Sequence, residues 1–74
     1  MNNELKIGKY KHYKGEIYDV LALGVHTETQ EVLVIYANPE KQIWVRPYKI
    51  FIETVMVDEK EQKRFEYIDK VIKS

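Results

Sequence analysis

The sequence predicts a mainly β fold, a small, five-stranded, partly open barrel of the Src-homology-3-like type. A short helical turn is expected before the last strand, and an α-helix at the C-terminus. From Ile7 to Val57 the apolar residues come in short runs rich in Val, Ile and Tyr, which is typical of strands. Turn residues separate these runs. After Val57 the apolar spacing changes to a helical period. A split sheet with the tail helix packed across it is the alternative topology.

The individual strands follow from the positions of these runs and turns. Gly15 marks the first turn, Thr27–Gln30 the second and Asn38–Lys41 the third. Gly24 would permit a bend or bulge in the long second strand, and Pro47 suits the first turn of a short helix. Strands are therefore expected near residues 6–12, 16–26, 31–37, 42–46 and 51–57, with the helical turn at 47–50.

The tail of the chain has the pattern of an amphipathic helix from residue 58 to about residue 72. Asp58 can cap its N-terminus, and Glu61 can reach back as the third residue of the first turn. Phe65, Ile68 and Ile72 then fall on one face. We expect this stripe to close one end of the barrel, with a weak homodimer through the helix as the alternative to a monomer.

Length and composition indicate one small domain. We expect a flexible leader over residues 1–5, the barrel over 6–57 and the helical segment over 58–74. The chain has no cysteine, which excludes disulfides and thiolate metal sites. It has no apolar stretch near the ~20 residues of a membrane span and does not start like a signal peptide. We therefore expect a soluble, cytoplasmic protein that does not bind membranes.

A polar turn follows the second strand and is the first candidate site. His26, Thr27, Glu28 and Thr29 come in succession, and Glu31 opens the next strand. The histidine ring can donate and accept a hydrogen bond, so the turn can form a polar cup for a ligand. The alternative is an ordinary hairpin turn, whose threonine hydroxyls bind the local backbone.

Trp44 and Arg46 are the second candidate site. Their alternate spacing places both side chains on one face of a strand. Tryptophan and arginine are enriched at interaction hot spots, and arginine can bind a carboxylate or phosphate through two hydrogen bonds. Tyr36 can line the same face. The alternative is internal, with Trp44 in the core and Arg46 paired with an acidic residue. The candidate acids are Glu28, Glu31 and Glu53.

A basic and aromatic stretch from Lys9 to Lys14 is the third candidate site, and it contains His12, Tyr13 and Lys14 itself. Such a stretch can follow a nucleic-acid backbone while its rings stack on bases. However, twelve basic residues balance twelve acidic ones in the whole chain, so a broad basic face is not expected. A half-buried edge strand explains the stretch equally, and nucleic acid is the less favoured partner.

Catalysis is the third function class, and the sequence offers few residues for it. The only serine is the terminal Ser74, and the three glycines are isolated. Two histidines without ligand-spaced partners make a weak metal site. Acid–base catalysis by His26 with Glu28 is the enzymatic alternative. We predict no metal and no cofactor.

An ordered series of short motifs resembles a known family. His12–Gly15 reads HYKG, His26–Thr29 reads HTET, and Trp44–Pro47 reads WVRP. The chain is similar in these motifs, across residues 8–55, to the small bacterial family catalogued as domain of unknown function 1653. The resemblance implies a compact bacterial, cytoplasmic domain without an established activity, and it implies no catalytic residue.

The function favoured by the sequence is that of a binding module. We expect it to bind a polar or anionic small molecule, or a protein segment, in a groove lined by His26, Tyr36, Trp44 and Arg46. A nucleic-acid accessory barrel ranks second and an acid–base enzyme third.

Overall fold

The computed structural model describes residues 5–69, which form two antiparallel sheets and one short helix. The larger sheet has the strand order β4-β3-β2-β1-β7, and β5 and β6 form a separate hairpin. A one-turn helix, α1, links β4 to β5. The elements are β1 (Gly8–His12), β2 (Ile17–Val25), β3 (Val32–Ala37), β4 (Ile43–Pro47), α1 (Tyr48–Phe51), β5 (Thr54–Val57), β6 (Lys60–Lys63) and β7 (Phe65–Asp69).

The mainly β class, the first four strands and the helical turn are confirmed. The long strand β2 has a register shift on β3 between Val20 and Ala22, whereas Gly24, where a bend or bulge was expected, pairs regularly with Leu33. The predicted fifth strand is shorter than expected, since Phe51 belongs to α1. It pairs with β6 and does not join the larger sheet.

The predicted C-terminal helix is wrong for residues 58–69, which form a turn and two strands. Asp58 and Glu59 have φ values of 53° and 64° at the tip of the β5–β6 hairpin. Two successive positive φ values are those of a type I′ turn, which joins antiparallel strands. Asp58 therefore begins a hairpin turn, and it does not cap a helix. Ile72, with residues 70–74, lies outside the described residues, as do residues 1–4 of the predicted leader.

Residues 65–69 form the strand β7, and not a helix, because the strand buries aromatic side chains and pairs with β1. Phe65 is buried and Tyr67 half-buried, whereas Glu66 and Ile68 are exposed, which is the period of a strand. β7 also pairs with β1, whose edge would otherwise be open. The free energy gained from this burial and strand pairing exceeds the few tenths of a kcal/mol that a charge pair four residues apart contributes to a helix. The predicted homodimer was expected to form through this helix, and residues 58–69 do not form a helix.

The larger sheet is open, because its outer strands β4 and β7 do not pair with each other. The antiparallel β class is thus established at the level of two open sheets, and the Src-homology-3-like type of barrel stays a prediction.

The core lies on one face of the larger sheet and consists mainly of aromatic rings. Phe51 of α1 stacks on Phe65 of β7, with ring centroids 4.1 Å apart and planes 1° apart. The helix thereby lies over the face of the sheet and closes the core. The buried members are Tyr10, Tyr18, Val20, Val34, Tyr36, Phe51 and Phe65.

Candidate functional site

Trp44 and Arg46 lie on β4, at one edge of the larger sheet. Trp44 is opposite Tyr36 and Arg46 is opposite Val34 on the neighbouring strand. Tyr36 and Val34 are fully buried, so both β4 side chains start from the face that carries the core. The Trp44 ring meets the Tyr36 ring edge-on, with centroids 6.2 Å apart, yet Trp44 is 42% exposed. Trp44 therefore forms the rim of the aromatic core, with part of its ring in solvent.

Arg46 is half-buried, and its guanidinium is held by one hydrogen bond. Its Nε donates to Tyr36 Oη at 3.1 Å. Within residues 5–69 the ion pairs are Lys9–Asp19 and Arg64–Glu53, so Arg46 has no carboxylate partner there. The two terminal amino groups are left to bind water or a ligand. A carboxylate or phosphate fits such a planar pair of donors.

A shallow groove of about 560 Å³ runs along β4. Its polar side-chain groups are the Arg46 guanidinium, the Tyr36 hydroxyl and the Trp44 indole N–H, and the rest of its lining is apolar. The groove therefore suits a ligand with one anionic group and an apolar or flat part. It is lined by Tyr36, Ile43, Trp44, Val45, Arg46, Pro47 and Ile50.

His12 is connected to this site by ring contacts and by charge. Its ring centroid lies 6.0 Å from that of Tyr18, which lies 6.4 Å from that of Trp44. Burial lowers the pKa of His12 below its usual value; Glu16 opposes this, and the cations Lys14, Arg64 and Arg46 lower it further. His12 Nδ1 accepts the N–H of Lys14 at 3.1 Å. His12 is thus a neutral half-buried ring at a positively charged end of the aromatic face.

Most residues of the basic stretch, Tyr13 among them, have separate partners within the protein. The Tyr13 ring packs on His12 with centroids 4.6 Å apart, and Lys14 Nζ lies 5.9 Å from the centroid of Tyr13. Lys9 Nζ pairs with Asp19 at 2.8 Å, and Tyr10 is buried in the core. A series of exposed rings between lysines is therefore not formed, and these contacts do not favour a nucleic-acid interface.

The polar turn at His26 is held together by its own hydrogen bonds. His26 Nδ1 accepts the backbone N–H groups of Glu28 at 3.1 Å and Thr29 at 3.3 Å. The backbone N–H of His26 donates to Glu31 O at 2.8 Å, and Thr29 Oγ1 accepts the N–H of Glu31 at 3.2 Å. Thr27 is exposed, and its carbonyl oxygen accepts the side-chain amide of Gln30 at 3.2 Å. This geometry is that of the hairpin turn that was the alternative to a polar cup. His26 Nδ1 is occupied by these two backbone N–H groups, so it is not available as the base of the enzymatic alternative.

The sheet register separates the His26 turn from Arg46. Arg46 pairs with Val34, which pairs with Leu23, so His26 lies two strands away and three residues further along. With strands ~4.8 Å apart and ~3.3 Å per residue, the two Cα atoms are roughly 14 Å apart. The Arg46 side chain also binds Tyr36, which lies further from the His26 end. Of the four predicted groove residues, the structure brings together Tyr36, Trp44 and Arg46, and it leaves out His26.

Tyr18, Ile50 and Phe65 belong to the neighbourhood of the site and were missed by sequence reasoning. The alternation of Tyr18 with Val20 in β2 was the available signal for Tyr18. Phe65 was assigned to the face of a helix, and α1 brings Ile50 to the groove through tertiary packing. In the described part of the chain no three His, Cys, Asp or Glu side chains could hold a metal ion. No helix there is long and apolar enough to cross a membrane.

Comparison with known proteins places this chain among relatives without an assigned function. The family model described as "Protein of unknown function (DUF1653)" matches residues 8–67. The structure is similar to the crystal structure of a DUF1653 protein from Bordetella bronchiseptica, with a TM-score of 0.82. The two sequences are 33% identical, and the alignment covers 96% of each chain. None of the curated proteins matches the chain.

Proposed function

The chain belongs to the DUF1653 family, and from this premise we propose that it is a small binding module that recognises an anionic group at Arg46. The observation that carries the proposal is the state of the Arg46 guanidinium. The residue is half-buried, and its guanidinium is anchored through Nε to Tyr36 Oη and has no carboxylate partner in residues 5–69.

A guanidinium in this position gains from an anionic ligand. Charged groups that lose water are normally paired, because an unpaired charge in a partly apolar setting is costly. The Tyr36 hydroxyl satisfies one donor and holds the plane of the guanidinium. Because the group is already oriented, an incoming carboxylate or phosphate loses less conformational entropy on binding. The same geometry explains why a bound anion would sit at a defined place beside Trp44.

The surroundings of Arg46 define the rest of the ligand. The half-exposed Trp44 ring and the apolar wall of the groove provide contact area for an apolar or flat part. Lys14 adds positive charge on the His12 side, whereas Arg64 there is paired with Glu53. These features support a small anionic molecule or the acidic residue of a protein segment. The proposed site retains Tyr36, Trp44 and Arg46 from the predicted groove and omits His26.

The wider setting of the module is also proposed. The order of elements supports the Src-homology-3-like type of barrel: a meander of four strands, a one-turn helix, the β5–β6 hairpin and a last strand that returns to β1. The relative from Bordetella bronchiseptica supports a bacterial origin, and the absence of cysteine is consistent with the cytoplasm.

An amide-resolved NMR titration of the isotope-labelled protein tests the proposal. The probes are acetate, inorganic phosphate and a nucleoside monophosphate, and the reporters include the Trp44 indole N–H and the Arg46 Nε–H. We expect shifts that centre on β4. Arg46→Gln should weaken binding at least tenfold, because a hydrogen bond to a charged group contributes about 1.5–3 kcal/mol. Tyr36→Phe should weaken binding less, because it removes the anchor and keeps the charge.

Lys60→Gln is the matched control, since it removes one positive charge from an exposed residue of β6. It should leave the affinity unchanged. Equal binding by the wild type and Arg46→Gln would contradict the proposal. Shifts confined to Lys9–Lys14, with a strong dependence on salt, would instead support the nucleic-acid alternative.

A further inference from the structure

β4 is an edge strand whose outer side is open in the part of the chain that the structure describes. Only β3 pairs with it, and α1 follows it without forming a further strand. Ile43 and Val45 are each 58% exposed, and Trp44 between them is half-exposed. An exposed apolar edge strand is a template for pairing with another extended chain, and proteins usually protect such edges.

The hydrogen-bond pattern indicates which backbone groups of β4 are available. At the start of the β3–β4 hairpin, the N–H of Asn38 donates to Gln42 O at 3.0 Å. Antiparallel pairs alternate between bonded and non-bonded residues, so Trp44 and Arg46 bond to β3. The N–H and C=O groups of Ile43 and Val45 then point to the open edge. Pro47, next in this series, has no N–H, which limits the template to these two residues.

We propose that the β4 edge binds an extended acidic segment of another protein by strand addition. The inference rests on the proposed anion site and names its partner. The backbone of the segment pairs with Ile43 and Val45, and one of its carboxylates binds the terminal amino groups of Arg46. Trp44 and Ile50 contact its apolar side chains. Main-chain pairing supplies affinity in this mode, and side-chain pockets supply specificity.

Charge favours an acidic segment over the other possible occupants. Lys41 precedes β4, Arg46 lies within it and Lys49 follows on α1, and all three side chains lack a carboxylate partner in residues 5–69. A second copy paired through β4 would leave Arg46 unpaired, because residues 43–47 contain no acid. Nucleic acid has no backbone that continues a β ladder. An acidic peptide alone satisfies both the open backbone groups and the guanidinium.

Synthetic heptapeptides and amide hydrogen exchange test this inference. The peptides are acetylated and amidated, with Val and Thr alternating and one Glu placed at each position in turn. A matched series carries Gln for Glu. We expect binding by some Glu peptides, about tenfold weaker binding by their Gln counterparts, and slower exchange of the Ile43 and Val45 amides in the complex. Peptides N-methylated at the pairing residues should lose that protection.

Val45→Pro removes one outward N–H and should weaken peptide binding about tenfold. The ladder to β3 should survive, because Val45 does not bond to β3 and proline is tolerated on edge strands. Val45→Thr keeps the N–H and is the matched control, with binding close to wild type. If Val45→Pro does not fold, the N-methylated peptides give the same answer on the wild-type protein.

The outcomes separate this inference from the proposed function. Small anions and Glu peptides that shift Arg46 and Trp44 without protecting the Ile43 and Val45 amides would overturn strand addition and leave the anion site standing. Protection that rises with protein concentration and without peptide would overturn it in favour of a second copy. Peptide binding that Arg46→Gln does not alter would overturn the proposed function and the acidic character of the segment.

Discussion

Glu59→Gly should stabilise the protein, although the local sequence predicts that it would break a helix. Glu59 has φ of 64° in the β5–β6 turn, and this conformation costs a non-glycine residue about 1–2 kcal/mol. Glycine avoids that cost and loses about 0.5–1 kcal/mol in backbone entropy. The difference between the two ranges is about 0–1.5 kcal/mol of added stability, with a central expectation of about 0.75 kcal/mol. In a helix the same substitution would destabilise by up to ~1 kcal/mol.

Urea unfolding measures whether Glu59→Gly raises or lowers the free energy of unfolding. A chain of 74 residues has a free energy of unfolding of about 4–11 kcal/mol. With a slope near 1 kcal/mol per molar urea, the central expectation raises the midpoint by about 0.75 M. Gln62→Gly is the matched control, because Gln62 is an exposed residue of β6 outside the positive-φ turn, and its midpoint should fall. A lower midpoint for Glu59→Gly would refute the hairpin turn.

Two further predictions concern the two histidines. Burial lowers the pKa of His12 in the folded protein, so the unfolded chain binds more protons. The contribution of His12 to the free energy of unfolding should therefore be complete above pH 6.5, the usual histidine pKa. It should decline as the pH falls from 6.5 towards the lower pKa of the folded state. Urea midpoints between about pH 5 and 8 should show a shallower decline for His12→Gln, and an unchanged decline would contradict the assignment. His26→Ala should cost about 1 kcal/mol, because two backbone N–H groups lose their acceptor. His26→Asn should restore part of this, and neither variant should change anion binding at Arg46.

The strands of the first half of the fold were predictable because their signals are local. Alternation and turn residues between Gly8 and Pro47 specify each strand from its immediate neighbours. The tail was not predictable in this way. Asp58 and the charged pairs that follow it favour a helix locally, whereas β7 is stabilised by pairing with β1, far away in the sequence. Tertiary burial of Phe65 outweighed the local preference.

The site was predictable in part for the same reason. The two-residue spacing of Trp44 and Arg46 placed them on one face, and the register puts Tyr36 beside them. The prediction that His26 lines the same groove had no such basis, because the distance from His26 to Arg46 depends on how three strands pair. Its role as the acceptor within its own turn also depends on backbone angles that the residue types do not specify.

By itself the sequence determined the β class, the common face of Trp44 and Arg46 and, through the motifs HYKG, HTET and WVRP, the family, which the comparisons confirmed. Tertiary structure decided that β7 completes the sheet, that β4 is left as an edge, and that the Arg46 guanidinium meets a tyrosine hydroxyl and no carboxylate. The physical reason is range. Periodicity and turn preference arise between neighbouring residues, whereas strand pairing and desolvation are set by groups that only the folded chain brings together.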